Sequence, residues 1–161
     1  MKQISSTFKV NGDIVRVDGI SDGRNTMSQR PYWLIPTSIA SIRDRGDGKG
    51  SRAMSFDAKE LEHLKNLKPG TKIATTVSES GGGNVSKWNY TITVGQPAKF
   101  THPTLGELET IEIGERRSVI GGNYSSSSSE LYALQLGYSV RIEYKDNENR
   151  NIKCDLQSAS R

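Results

Sequence analysis

Cysteine is almost missing from this chain: Cys154 is the only one in 161 residues, so no intramolecular disulfide framework can form. Histidine is nearly as scarce. His63 and His102 are the only two, they lie far apart, and with one cysteine they leave no group in zinc-ligand spacing. The same shortage excludes a two-histidine phosphoesterase. His102-Pro103-Thr104 has the form of one His-x-Ser/Thr motif, but Leu64 and Lys65 follow His63, so the second is absent. No run of apolar residues approaches membrane-spanning length, and MKQISSTFKV lacks the apolar segment of a secretory signal. These absences lead us to expect a cytoplasmic protein with no membrane partner. Hydrophobic residues make up only 33% of the chain, yet two Trp, six Tyr and three Phe can furnish a modest core.

What is present is mostly β patterning. Phe8-Lys9-Val10 and Ile14 to Val17 flank Asn11-Gly12, a pair suited to a tight hairpin turn, and the spacing predicts Phe8 opposite Val15. Trp88, Tyr90, Ile92 and Val94 alternate with polar residues, and Ile73, Thr75 and Val77 precede them across SESGGGNVS, read as a flexible hairpin loop. Residues 108–113 read as a strand with a phase slip, and residues 117–120 as a short separate strand. NYSSSSS, at 123–129, reads as a mobile low-complexity loop. Cys154 falls in phase with Ile152 and Leu156, the pattern of a small buried hydrophobe.

One helix is written out at 57–68. Asp57 and Glu60 form a capping box, Phe56 and Leu61 occupy staple positions, and Pro69-Gly70 ends the segment. We therefore expect a mainly β fold, a β-barrel or β-sandwich of about eight or nine short antiparallel strands with that one helix, or an α+β variant of it. A single domain over 1–161 is expected, with one weak seam at 95–103.

Charge is unevenly spread. Residues 1–75 hold 13 Lys and Arg against 8 Asp and Glu, and the remainder holds 9 against 10. The segment RDRGDGKGSR, at 43–52, combines glycines that let backbone N–H groups approach an anion with Arg43, Arg45, Lys49 and Arg52 to neutralise it. It is not a phosphate loop of the GKS/T type, because Gly50 follows Lys49. Arg24, Arg30, Tyr32 and Trp33 lie upstream, and arginines interleaved with aromatics suit phosphate pairing and base stacking. The plainer readings are a solvated loop of compensating charges, and Trp33 as core beside Leu34 and Ile35. Glu107 and Glu109 share a strand face about 7 Å apart, a spacing open to acid–base chemistry but equally that of a solvated strand.

These residues point to a non-catalytic binding protein for an anionic ligand, a nucleotide-like molecule or single-stranded nucleic acid, with a sequestering or inhibitory role as one form of it. No catalytic residue, metal site or cofactor is assigned. The alternative is a β-rich assembly subunit of a homo-oligomer, its basic half meeting a neighbour's acidic half. The loops at 78–86 and 123–129 would be polar enough to close over a ligand.

Overall fold

A computed structural model describes residues 5–11, 14–21, 24–31, 40–43, 51–55, 59, 68–136 and 138–156. Among them are eleven strands: β1 (Ser5–Asn11), β2 (Ile14–Ser21), β3 (Arg24–Pro31), β4 (Ala40–Arg43), β5 (Ser51–Ser55), β6 (Lys72–Gly81), β7 (Asn84–His102), β8 (Gly106–Val119), β9 (Ser125–Ala133), β10 (Tyr138–Asp146) and β11 (Asn151–Asp155). The fold is mainly β and antiparallel, as the alternation predicts, and strands pair in chain order. The helix expected at 57–68 lies almost wholly outside the described residues. The chain forms two compact units, one of Met1–Lys65 with Thr76–Trp88, the other of Asn66–Thr75 with Asn89–Arg161.

In the first unit β1 and β2 form the expected hairpin in a different register. Phe8 pairs with Val17, Val10 with Val15 and Asn11 with Ile14, so the two-residue connection is 12–13 rather than Asn11-Gly12. The shift is two residues, which keeps Phe8, Val10, Val15 and Val17 in one alternating set. Lys9 and Arg16 face each other as like charges across this hairpin, a pairing that costs stability. Asp18 offsets it: Arg16 Nε donates to its carboxylate at 2.9 Å, and Lys9 Nζ lies 3.9 Å away.

The expected flexible loop at 78–86 is instead nearly all strand. β6 runs to Gly81 and β7 starts at Asn84, leaving only Gly82 and Gly83 to turn. Their φ values are 58° and 84°, the double positive φ of a type I′ turn, which matches the twist of the strands it joins. A two-residue loop sets Val77 opposite Trp88, and both are buried. A side chain at Gly83 would meet nothing within 4 Å, so its cost is conformational alone. We expect Gly83→Ala to lower unfolding free energy by about 1–2 kcal/mol, and Gly82→Asn, at a φ that asparagine tolerates, to cost far less. Urea unfolding of the two variants checks this; equal losses would refute the turn assignment.

The second unit holds two groups of buried residues. Tyr90, Ile92 and Val94 of β7, Ile111 and Ile113 of β8 and Tyr132 of β9 are all buried. Leu108, Ala133 and Val140 form a separate cluster, packed by Phe100, Leu105, Leu131, Leu136, Tyr138 and Leu156. The phase slip predicted in β8 is present: Leu108 and Thr110 are buried, then Ile111 and Ile113. The strand nevertheless runs unbroken through 117–119, where a separate strand was expected. Two strands away, β10 carries a register shift against β9 between Ser139 and Arg141 that leaves Val140 out of the β9 ladder, fully buried and bonded through its carbonyl to Leu156 N.

The serine run is not a loop. Residues 125–129 belong to β9, paired with β8 on one side and β10 on the other. Two flanking ladders satisfy its backbone, so side-chain hydrophobicity is not needed to hold it. Cys154 pairs with Ile142 and is only half-buried, contrary to the buried position expected. β11 ends the strand order with one neighbour, which leaves Ile152 half-exposed as well.

Candidate ligand groove on the second unit

The expected anion site divides under the observed register. Tyr32, Trp33, Arg45 and Lys49 lie outside the described residues. Arg43 and Arg52 flank that segment as the end of β4 and the start of β5, which pair as a hairpin. Arg43 is opposite Thr26, two residues from Arg24, and Arg52 is opposite Ser41. Register thus groups Arg24, Arg43 and Arg52 across three adjacent strands. Arg30 lies six residues along β3 from Arg24, about 20 Å away.

Two residues once weighed for catalysis have other duties. His102 is 3% exposed, and its Nδ1 accepts from the backbone N–H groups of Thr104 and Leu105, each at 3.2 Å. The imidazole therefore caps the β7–β8 turn. Glu107 accepts from Lys99 Nζ at 2.9 Å, and both it and Glu109 are exposed.

A different set of residues forms a cleft of about 690 Å³ on the second unit, lined by Lys72, Thr91, Thr93, Glu112, Gly114, Arg116, serines of β9, Glu143 and Lys145 among others. A second depression of about 550 Å³ shares Thr91, Arg116, Ser127 and Lys145 with it and extends to Asn89, Ser118, Ser125 and Asn147. The two form one groove whose common part is a cross-strand row. Arg116 pairs with Ser127, and Ser127 with Lys145. Two inter-strand steps put the two cations on either side of a serine hydroxyl, about 10 Å apart at the backbone. Long Arg and Lys side chains can converge across that distance on one anion.

Gly114 lets Thr93 of the adjacent strand lie close against β8. A Cβ there would come within 2.6 Å of Thr93 Oγ1, so any larger residue displaces the threonine. The charges are partly committed. Glu143 is bound to Lys153 at 3.2 Å, whereas Lys72, Arg116 and Lys145 have no ion-pair partner among the described residues. Glu115 lies against the buried Tyr90, whose phenol is pushed well above its ordinary value by burial and then by this carboxylate. The lining thus sets the cations Lys72, Arg116 and Lys145 beside the carboxylates Glu112, Glu115 and Glu143, the last of them held by Lys153.

One end of the groove is anchored by a compact network. Asp146 accepts from the backbone N–H groups of Glu148 and Arg150 at 3.0 Å, and Arg150 Nε lies 2.6 Å from its other oxygen. Tyr144 and Tyr124 hydroxyls also reach that oxygen, at 3.1 and 3.2 Å, and lie 2.6 Å from each other. Two phenolic protons must serve three contacts, so the hydroxyls share them in alternation. Burial, and next the bond to Tyr144, push Tyr124 up to about 12. Asn147 ties the neighbouring turn in, its Oδ1 accepting from Ser125 N at 3.0 Å. Asp146 and Arg150 thus neutralise each other beside the groove and leave the Arg116–Lys145 row as its positive part.

Sequence reasoning missed this row because its cations lie in the half of the chain with the negative balance. The signal was available only in the pairing: Arg116 and Lys145 are distant in sequence and become neighbours through the serine strand between them. Comparison with known proteins finds no matching family model, no matching curated protein and no matching solved structure, so the functional reading rests on these residues themselves.

Proposed function

We propose that this protein is a non-catalytic binding protein for an anionic ligand, and that the ligand sits in the groove of the second unit. The observation that carries this reading is the Arg116–Ser127–Lys145 row, two cations without ion-pair partners among the described residues flanking a hydroxyl on the floor of a concave polar surface. The groove volume lies in the range of small-ligand sites, and Lys72 adds a third cation at its rim.

Binding of inorganic phosphate, followed by isothermal calorimetry or by shifts of backbone amide resonances on β8, β9 and β10, tests the proposal. Affinity should weaken as salt rises, because exposed cations are screened. Replacing both Arg116 and Lys145 by alanine should weaken it about tenfold or more, the equivalent of one or two charge-assisted hydrogen bonds. Unchanged affinity in that double variant would remove the groove from the proposal.

A further inference from the structure

We infer that the groove takes an oxyanion ester of a polyhydroxylated body, a phosphorylated or sulphated sugar or polyol, in preference to a ligand read through a nucleobase. The inference rests on the anion-binding reading above and adds what the ligand carries beyond its charge. Next to the Arg116–Ser127–Lys145 row, the lining includes Thr91, Thr93, Ser129, Glu112 and Asn151. Hydroxyls donate and accept, and carboxylates accept, so this surface suits a dense array of ligand hydroxyls.

What a base would need is not supplied. Stacking requires an open aromatic face. Tyr144 is the one aromatic residue lining the groove, and its hydroxyl is held in the Tyr124–Asp146 network. By register it pairs with Ser128, whereas the cations pair with Ser127, so it belongs to the opposite alternating set. The oxyanion therefore sits over Ser127, and the body of the ligand lies over the neighbouring surface between Thr93 and Ser129. Gly114 pairs with Ser129, and Thr93 Oγ1 lies 3.5 Å from Gly114 O, so the two hydroxyls flank that strand position.

Four probes titrated into the full chain separate the contributions: inorganic phosphate, ribose phosphate, free ribose and adenosine monophosphate. Ribose phosphate should bind about tenfold more tightly than inorganic phosphate, free ribose should bind too weakly to measure, and adenosine monophosphate should gain nothing over ribose phosphate. The double variant Thr93→Val with Ser129→Ala removes both hydroxyls without adding bulk and should erase the ribose advantage while leaving phosphate binding intact. Glu112→Gln, at an exposed position, makes the same test should that pair fail to fold. Equal affinity for ribose phosphate and inorganic phosphate overturns this inference and leaves the anion site standing. Tighter binding of adenosine monophosphate than of ribose phosphate overturns it in favour of base recognition. Failure of every phosphate-bearing probe to bind overturns both.

Discussion

Ile92→Ala is expected to lower the unfolding free energy by about 2–5 kcal/mol. Ile92 is fully buried, between Tyr90 and Val94 along a strand whose intervening residues are half-buried or exposed. Removing most of its side chain takes away apolar contact and leaves a cavity that two flanking strand ladders do not let the backbone close. Ile92→Val, which removes one methylene, should cost only about 0.5–1.5 kcal/mol. Asn89→Ala, at an exposed position of the same strand, should stay within about 0.5 kcal/mol. Urea unfolding of the three variants gives the ranking, and an Ile92→Ala cost no larger than that of Asn89→Ala would contradict the assigned core face.

Asp146→Asn should change the shape of the stability profile as well as its height. Burial opposes ionisation of Asp146, but the Arg150 backbone N–H, the Tyr144 hydroxyl, the Glu148 N–H and the Tyr124 hydroxyl together outweigh it and hold the carboxyl below its ordinary value. A carboxyl depressed in the folded state contributes stability that is fully present above its unfolded value of about 3.9 and disappears as pH falls through the lower folded value. The variant should therefore be less stable at neutral pH and lose part of the acid-side slope, converging on the parent protein at low pH. Its Tyr124 should also ionise earlier than the parent's value of about 12, since the acceptor that favours the protonated phenol is weakened. Thermal melts across the acid range, with ultraviolet titration of the phenols, read both effects. Parallel profiles for parent and variant would show that Asp146 is not pH-linked.

Strong alternation proved legible without a structure. Trp88, Tyr90, Ile92 and Val94 mark their strand because each successive apolar residue returns to the same face, and all four are buried. The β8 phase slip could be read as well, since Leu108 is out of step with Ile111 and Ile113 in the linear order. Turns were less legible. Asn11-Gly12 is a strong hairpin pair, yet the observed connection is one residue later, because Phe8–Val17 and Val10–Val15 pair apolar residues across the strands. Gly81, Gly82 and Gly83 look like a flexible linker in one dimension, although two of them supply the positive φ of a tight turn. The serine run was misread for a related reason. Low complexity in a sequence reports the absence of apolar side chains, whereas β9 is held by backbone bonds to two neighbours. The candidate groove was the least visible, being a product of register that no local window of sequence contains.

The pairing of each strand with the next one in the chain also bears on how quickly the fold is reached. A hairpin whose strands are adjacent in sequence closes only a short loop, so little chain entropy is lost before its contacts form. β-sandwiches with crossed connections must first bring distant segments together, and they fold slowly for that reason. This chain has no such step between its described strands. A ribosome releasing it from the N-terminus would deliver each strand beside a partner already made, so pairing could advance along the chain as fast as synthesis supplies it.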